Sequence, residues 1–148
     1  MTGTDIGAHP IHLGGGATAQ PEPLFTGSMD WYIGYGGRHQ GDGAEGRLVS
    51  MHSFTVPWPM WEMHPRGSEV VLCTAGCIVL HQDHSDGSRR TITLAAGQYA
   101  INEPGVWHTA DVDGPATALF ITAGVGTEHR PRLECRTNNT DGTHRPHF

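Results

Sequence analysis

Lysine is missing from this chain; all nine basic residues are arginine. That excludes a lysine Schiff base and a lysine general base. Long apolar runs are missing too, and nothing approaches the roughly 20 consecutive apolar residues that cross a bilayer as a helix. Residues 1–16 carry neither the basic start nor the apolar middle of a secretory leader, so the expected location is cytoplasmic and no membrane partner is expected. There is no basic cluster, and the formal net charge is −6. A protein that grips a nucleic-acid backbone needs cations to displace phosphate counterions, so nucleic acid is not an expected partner. Cysteine is scarce. Cys73, Cys77 and Cys135 are too few for a disulfide framework. Cys73 and Cys77 flank a Thr-Ala-Gly turn and would stand within disulfide reach across a hairpin. The alternative, preferred here, is a pair of reduced thiols packed in the core. No segment shows a convincing amphipathic helix.

What remains is a string of short strand candidates. They cover 31–35, 47–56, 70–73, 77–82, 89–94, 98–101, 106–112 and 117–122, with Gly, Pro and Asp turns between them. Asp86-Gly87 is the clearest hairpin signal. Many short strands with few helices point to an all-β sandwich or small barrel, and 148 residues suit one core. Residues 1–28, rich in Gly, Pro, Thr and Ala, read as an N-terminal arm, flexible or laid over a partner. Residues 29–126 form the expected barrel domain, and 127–148 a polar C-terminal tail. Asn138-Asn139-Thr140 matches a glycosylation sequon, which carries no weight without a secretory leader.

Two stretches carry potential chemistry. In the first, Glu62 and His64 are two residues apart and share one face of a strand. A Pro65-Arg66-Gly67-Ser68 turn follows. Glu69 opens the next strand, with Val71 and Cys73 on its face, and Gly76 permits the turn that ends it. In the second, Gly97 starts a strand, Glu103-Pro104-Gly105 makes a turn, and His108 shares a face with Val106 and Ala110 while Trp107 points away.

These spacings resemble the cupin motifs. The first family motif runs Gly-x5-His-x-His-x3,4-Glu-x6-Gly, and Glu62, His64, Glu69 and Gly76 follow its last two-thirds. The second runs Gly-x5-Pro-x-Gly-x2-His-x3-Asn, and Gly97, Gly105 and His108 fall on it. The departures are Glu62 for the first histidine, Glu103 for proline, Val112 for asparagine and Val56 for the leading glycine. The resemblance covers about residues 45–125. It implies an all-β double-stranded β-helix (a jelly-roll barrel) that binds one divalent metal ion per chain through Glu62, His64, Glu69 and His108. It also implies a homodimer with apolar contacts, to which Trp58, Trp61 and Trp107 would contribute as packing or interface residues.

Two carboxylates and two neutral imidazoles leave a divalent ion with a net charge of about zero, where three histidines and one glutamate leave about +1, and the added carboxylate favours harder ions. Iron is the first expectation, with manganese, zinc or nickel after it. Four protein ligands on an octahedral ion leave two cis positions for a small polar organic substrate. The leading expectation is an iron-dependent dioxygenase. The alternatives are a metal-dependent isomerase, cyclase or lyase, and a non-catalytic small-ligand-binding cupin. His52 and Tyr99 are the candidate catalytic residues, His52 as an acid/base on the strand over 47–56 and Tyr99 as a phenol near the metal. Arg66 is expected to be solvated, and His81 and His84 to be exposed near the hairpin tip. Residues 128–132 are expected to pack beside the barrel with no chemical role.

Overall fold

The computed structural model describes residues 1–133. The tail from 134 onward, with Cys135 and the sequon, lies outside the described residues.

The fold is two antiparallel sheets packed face to face, consistent with the sandwich expected from the strand pattern and the jelly roll implied by the cupin resemblance. The six-stranded sheet has the order β2 (Thr18–Pro21), β1 (Ile11–Gly14), β3 (Arg47–Phe54), β10 (Ala116–Thr122), β5 (Glu69–Ala75), β8 (Tyr99–Asn102). The five-stranded sheet has the order β11 (Glu128–Pro131), β4 (Met60–Met63), β9 (Trp107–Asp111), β6 (Cys77–Asp83), β7 (Arg89–Ala95). Alternation along each strand sends one side of each sheet inward. Val71 and Cys73 from β5, Ile78 and Leu80 from β6, Leu94 from β7, Ala110 from β9 and Ala118 and Phe120 from β10 meet there as one core. Among the described residues no helix is long and apolar enough to cross a membrane.

The hairpin at Gly76 is fixed by backbone geometry. Its φ is +74°, and a Cβ there would sit 2.3 Å from the Pro115 carbonyl oxygen. Left-handed backbone costs a non-glycine residue about 1–2 kcal/mol, and the clash with rigid backbone adds to it. Gly76→Ala is therefore expected to lower stability by more than about 2 kcal/mol in urea unfolding.

The structure departs from the sequence reading in four places. Residues 31–35 are helical, within α1 (Met29–Arg38). Ser28 caps this helix by accepting the Trp31 N–H, Asp30 lies in its first turn and Arg38 in its last. Gly34, Gly36 and Gly37 lower its propensity, which is why the pattern does not read as a helix. Residues 1–28 carry the β1–β2 hairpin, whose β1 pairs with β3, so this segment lies along the chain's own sheet. Residues 128–131 form β11 and pair with β4. Both Cys73 and Cys77 are free; Cys73 is in the core, but Cys77 is exposed because it falls on the outer parity of β6.

Candidate metal centre

Glu62, His64, Glu69 and His108 come together at one point. One donor atom from each lies within 4.8 Å of the others. Glu62 is on β4 and is paired across the sheet with His108 on β9. His64 follows directly after β4, and Glu69 opens β5 in the opposite sheet. The Pro65–Ser68 turn carries the chain across, and Gly105 locks the two motifs together by donating its N–H to the His64 carbonyl at 3.0 Å. His64, Glu69 and His108 are buried, whereas the Glu62 side chain is 23% exposed, so the cluster opens outward on the Glu62 side.

The hydrogen bonds set the tautomer of both histidines. His108 Nδ1 faces the Val106 carbonyl at 3.2 Å; a carbonyl only accepts, so Nδ1 carries the proton. The Thr127 hydroxyl donates to the Gly124 carbonyl, so at 2.8 Å it accepts from His64 Nδ1–H. Both Nε2 atoms are therefore turned into the cluster, buried and with no partner outside it. His64 Nε2 is 3.0 Å from oxygens of Glu62 and Glu69, and His108 Nε2 is 3.1 Å from Glu69. Orphaned buried nitrogens beside carboxylates are costly unless a cation sits among them. The donor set thus fits a divalent ion.

The field of the two carboxylates shows in the ionisation of the group. Burial opposes charge on His64, yet hydrogen bonding and attraction to Glu62 and Glu69 win, and its pKa is pushed up to about 10. Burial likewise works against ionised Glu62, but His129 and His64 outweigh it and hold its pKa at about 2. Glu69 is held well below the usual carboxylate range, because His108 and His64 overcome its burial.

Glu69 is also fixed from behind. Asn102 Nδ2 donates to Glu69 Oε1 at 3.1 Å, and Thr122 Oγ1 donates to Oε2 at 2.7 Å. Gln82 Nε2 in turn donates to Asn102 Oδ1 at 2.9 Å. Asn102 and Gln82 are polar residues at inward positions of apolar strands, a sequence signal that went unused. Partners of this kind set the orientation of a ligand, and losing one lowers metal affinity by about 10–100-fold. Asn102→Ala is expected to show that drop at the barrel site in metal titrations, with the site still filled at saturation.

The two candidate catalytic residues separate. His52 turns inward from β3. Its ring packs between Phe25 and Phe120, and burial lowers its pKa while the charge of Glu62 opposes that shift. Tyr99 is 64% exposed, because β8 alternates and turns Ala100 and Asn102 inward, so it is not brought to the cluster. Two residues that the sequence reading missed do come near. Tyr32, on α1, has its phenol pushed up to about 12 by burial and then by the Glu62 charge. His129, on β11, places Nε2 3.7 Å from Glu62 Oε2. Arg66 is exposed, as expected. His81 is only half-exposed, since it bonds Asp111 on the neighbouring β9 at 2.8 Å. Trp61 is buried between the Arg89 and Arg130 guanidinium groups, and Trp58 packs against Phe54 and Phe120.

No family model matches the chain, and no curated protein matches it. Solved structures do. An oxalate oxidase in complex with the substrate analogue glycolate aligns with a TM-score of 0.52 at 17% identity, over 63% of this chain and 50% of that one. A second oxalate oxidase structure gives 0.51 at 17% identity, over 62% and 50%. An oxalate decarboxylase gives 0.50 at 18% identity, over 65% of this chain and 26% of that one. The aligned part therefore spans half or less of those proteins, and at such identity the likeness concerns the fold. In fold this chain is a cupin, a double-stranded β-helix with Glu62, His64, Glu69 and His108 gathered at one point inside it.

Proposed function

We propose that the chain is a metal-dependent cupin enzyme acting on a small polar organic molecule, with an iron-dependent dioxygenase as the leading subclass. One observation carries the reading: two buried histidines, each with Nδ1 held by a protein oxygen, both turn Nε2 toward two ionised carboxylates. Glu62, His64, Glu69 and His108 would hold the ion. When bound, the ion would supply a Lewis acid for an oxygen-donor substrate.

The chain's own groups then have separate tasks. The open side at Glu62 admits the substrate. Tyr32, kept protonated, donates a hydrogen bond to a substrate oxygen. His52, kept neutral by burial, accepts a proton there. The rings of Phe25 and Phe120 flank His52 and exclude water from one wall. The aligned oxidase and decarboxylase are enzymes, which supports an enzymatic reading over the ligand-binding one. An isomerase, cyclase or lyase is the second reading, because proton transfer by His52 at a metal-bound substrate serves that chemistry equally well. The proposed homodimer is supported by the apolar outer face of the edge strand β8, where Tyr99 and Ile101 are exposed.

The test is elemental analysis of untagged protein followed by oxygen-uptake assays with catechols, thiols and keto acids. About one iron per chain with substrate-dependent oxygen uptake is the expected result. Full turnover without any divalent ion would overturn it. His52→Ala is expected to lower turnover about 100-fold or more with metal content unchanged, since a positioned acid or base contributes about 10²–10⁴-fold.

A further inference from the structure

A second donor cluster lies outside the barrel, and the function proposed above does not use it. His12 is on β1, His39 caps the C-terminus of α1, and Asp42 lies in the short 3-10 segment that follows. One donor atom from each lies within 4.8 Å of the others. His12 Nε2 is 2.6 Å from Asp42 Oδ2.

Each donor has its other atom fixed. His12 Nδ1 is 2.6 Å from the Tyr35 hydroxyl. His39 Nε2 is held tightly against Glu22, whose carboxylate is buried. Asp42 Oδ1 accepts the Gly15 N–H at 3.0 Å. Carboxylate, hydroxyl and backbone partners behind imidazole and carboxylate donors are the usual support of a metal site.

Two glycines make room for it. A Cβ on Gly14 would stand 2.9 Å from Asp42 Oδ2 and 3.2 Å from His12 Nε2, and one on Gly46 would stand 2.9 Å from His12 Cε1. Neither needs to be glycine for its backbone, since φ is −108° at Gly14 and −68° at Gly46. A side chain at either position would collide with the donors, so the two glycines let His12 and Asp42 pack against the backbone. Charge points the same way. Two carboxylates, Asp42 and Glu22, share the cluster, and Arg38 pairs with Glu22 at 3.8 Å.

We propose that His12, His39 and Asp42 form a second, zinc-type metal site that ties the β1–β2 hairpin to the end of α1. Two nitrogens and one carboxylate oxygen, with water as a fourth ligand, suit zinc. Glu22 and Tyr35 are positioning residues that fix the two rings. The rings of His12 and His39 are stacked with centroids 3.5 Å apart, so their in-plane lone pairs run side by side, and binding one ion through both would require the rings to splay.

The test is calorimetric titration of untagged, chelator-treated protein with zinc chloride, with circular dichroism to confirm folding. Wild type is expected to bind two zinc ions. Asp42→Asn, a same-shape change at a half-buried residue, is expected to bind one. The double variant Glu62→Ala/His108→Ala is also expected to bind one, and adding Asp42→Asn to it is expected to abolish binding. Glu22→Gln and Tyr35→Phe are expected to weaken this site about 10–100-fold. A Glu62→Ala/His108→Ala protein that binds no zinc, or an Asp42→Asn protein that binds as much as wild type, would overturn the second site. If the barrel reading fails instead, Asp42→Asn alone abolishes binding.

Discussion

His108→Ala and Glu62→Ala are each expected to weaken binding of the barrel metal by more than about 100-fold, because losing even an outer partner costs about 10–100-fold. The reason is specific to each residue. His108 is locked with Nδ1–H on the Val106 carbonyl, so its Nε2 can only be a donor, and nothing nearby replaces it. Glu62 supplies one of the two negative charges that balance the ion, and it is the most open of the four residues. Both variants keep the apolar core between the sheets, so near-native circular dichroism is expected with little metal left in the barrel site. Tyr99→Phe, changed on the outer face of β8, is the control and should titrate as wild type. Plasma mass spectrometry after dialysis reads all three. Full metal occupancy in either site variant would remove the assignment.

The second large effect is in pH. Without an ion, His64 holds a proton with a pKa of about 10, so a metal must displace that proton to bind. Apparent affinity should therefore rise about tenfold per pH unit between neutral pH and about 10, with about one proton released per ion. Titration calorimetry in two buffers of different ionisation enthalpy counts that proton. Stability of the metal-free protein should move the opposite way. A raised histidine pKa contributes stability that is fully present below about 6.5, the unfolded value, and is lost as pH rises through about 10. Glu62 contributes in the other sense: its part is present above the unfolded value of about 4.5 and is lost as pH falls through about 2. In chelator, the melting temperature should thus decline from pH 7 to 10, while the metal-loaded protein holds. Parallel curves with and without chelator would contradict the shared site.

The legible part of this molecule was its periodicity. Strands β5, β6, β8 and β10 alternate cleanly, and with β3, β7 and β9 they are bounded by turn residues, so all seven were readable within a few residues. The four donors were readable because strand parity and two short turns fix their directions. What escaped was set by tertiary contact. The β1–β2 hairpin is polar and short, and it becomes strand only because β3 offers an open edge. Helix α1 carries three glycines, and its stability comes from Trp31, buried against Phe25 and Tyr35. Asn102, Gln82, Thr122 and Thr127 act on the site through single hydrogen bonds across 20 to 63 positions of chain, and no local pattern announces such a bond. Tyr99 failed for a plain reason: its parity on β8 is opposite to that of Asn102.

The bond between Thr127 and His64 also has a consequence for biosynthesis. The imidazole at 64 leaves the ribosome 63 residues before the hydroxyl that sets its tautomer, and β4 must wait as long for β11. A nascent chain halted before position 127 would carry all four donors with one ring still free to turn. Both imidazoles of the cluster are therefore fixed only once β11 has docked on β4.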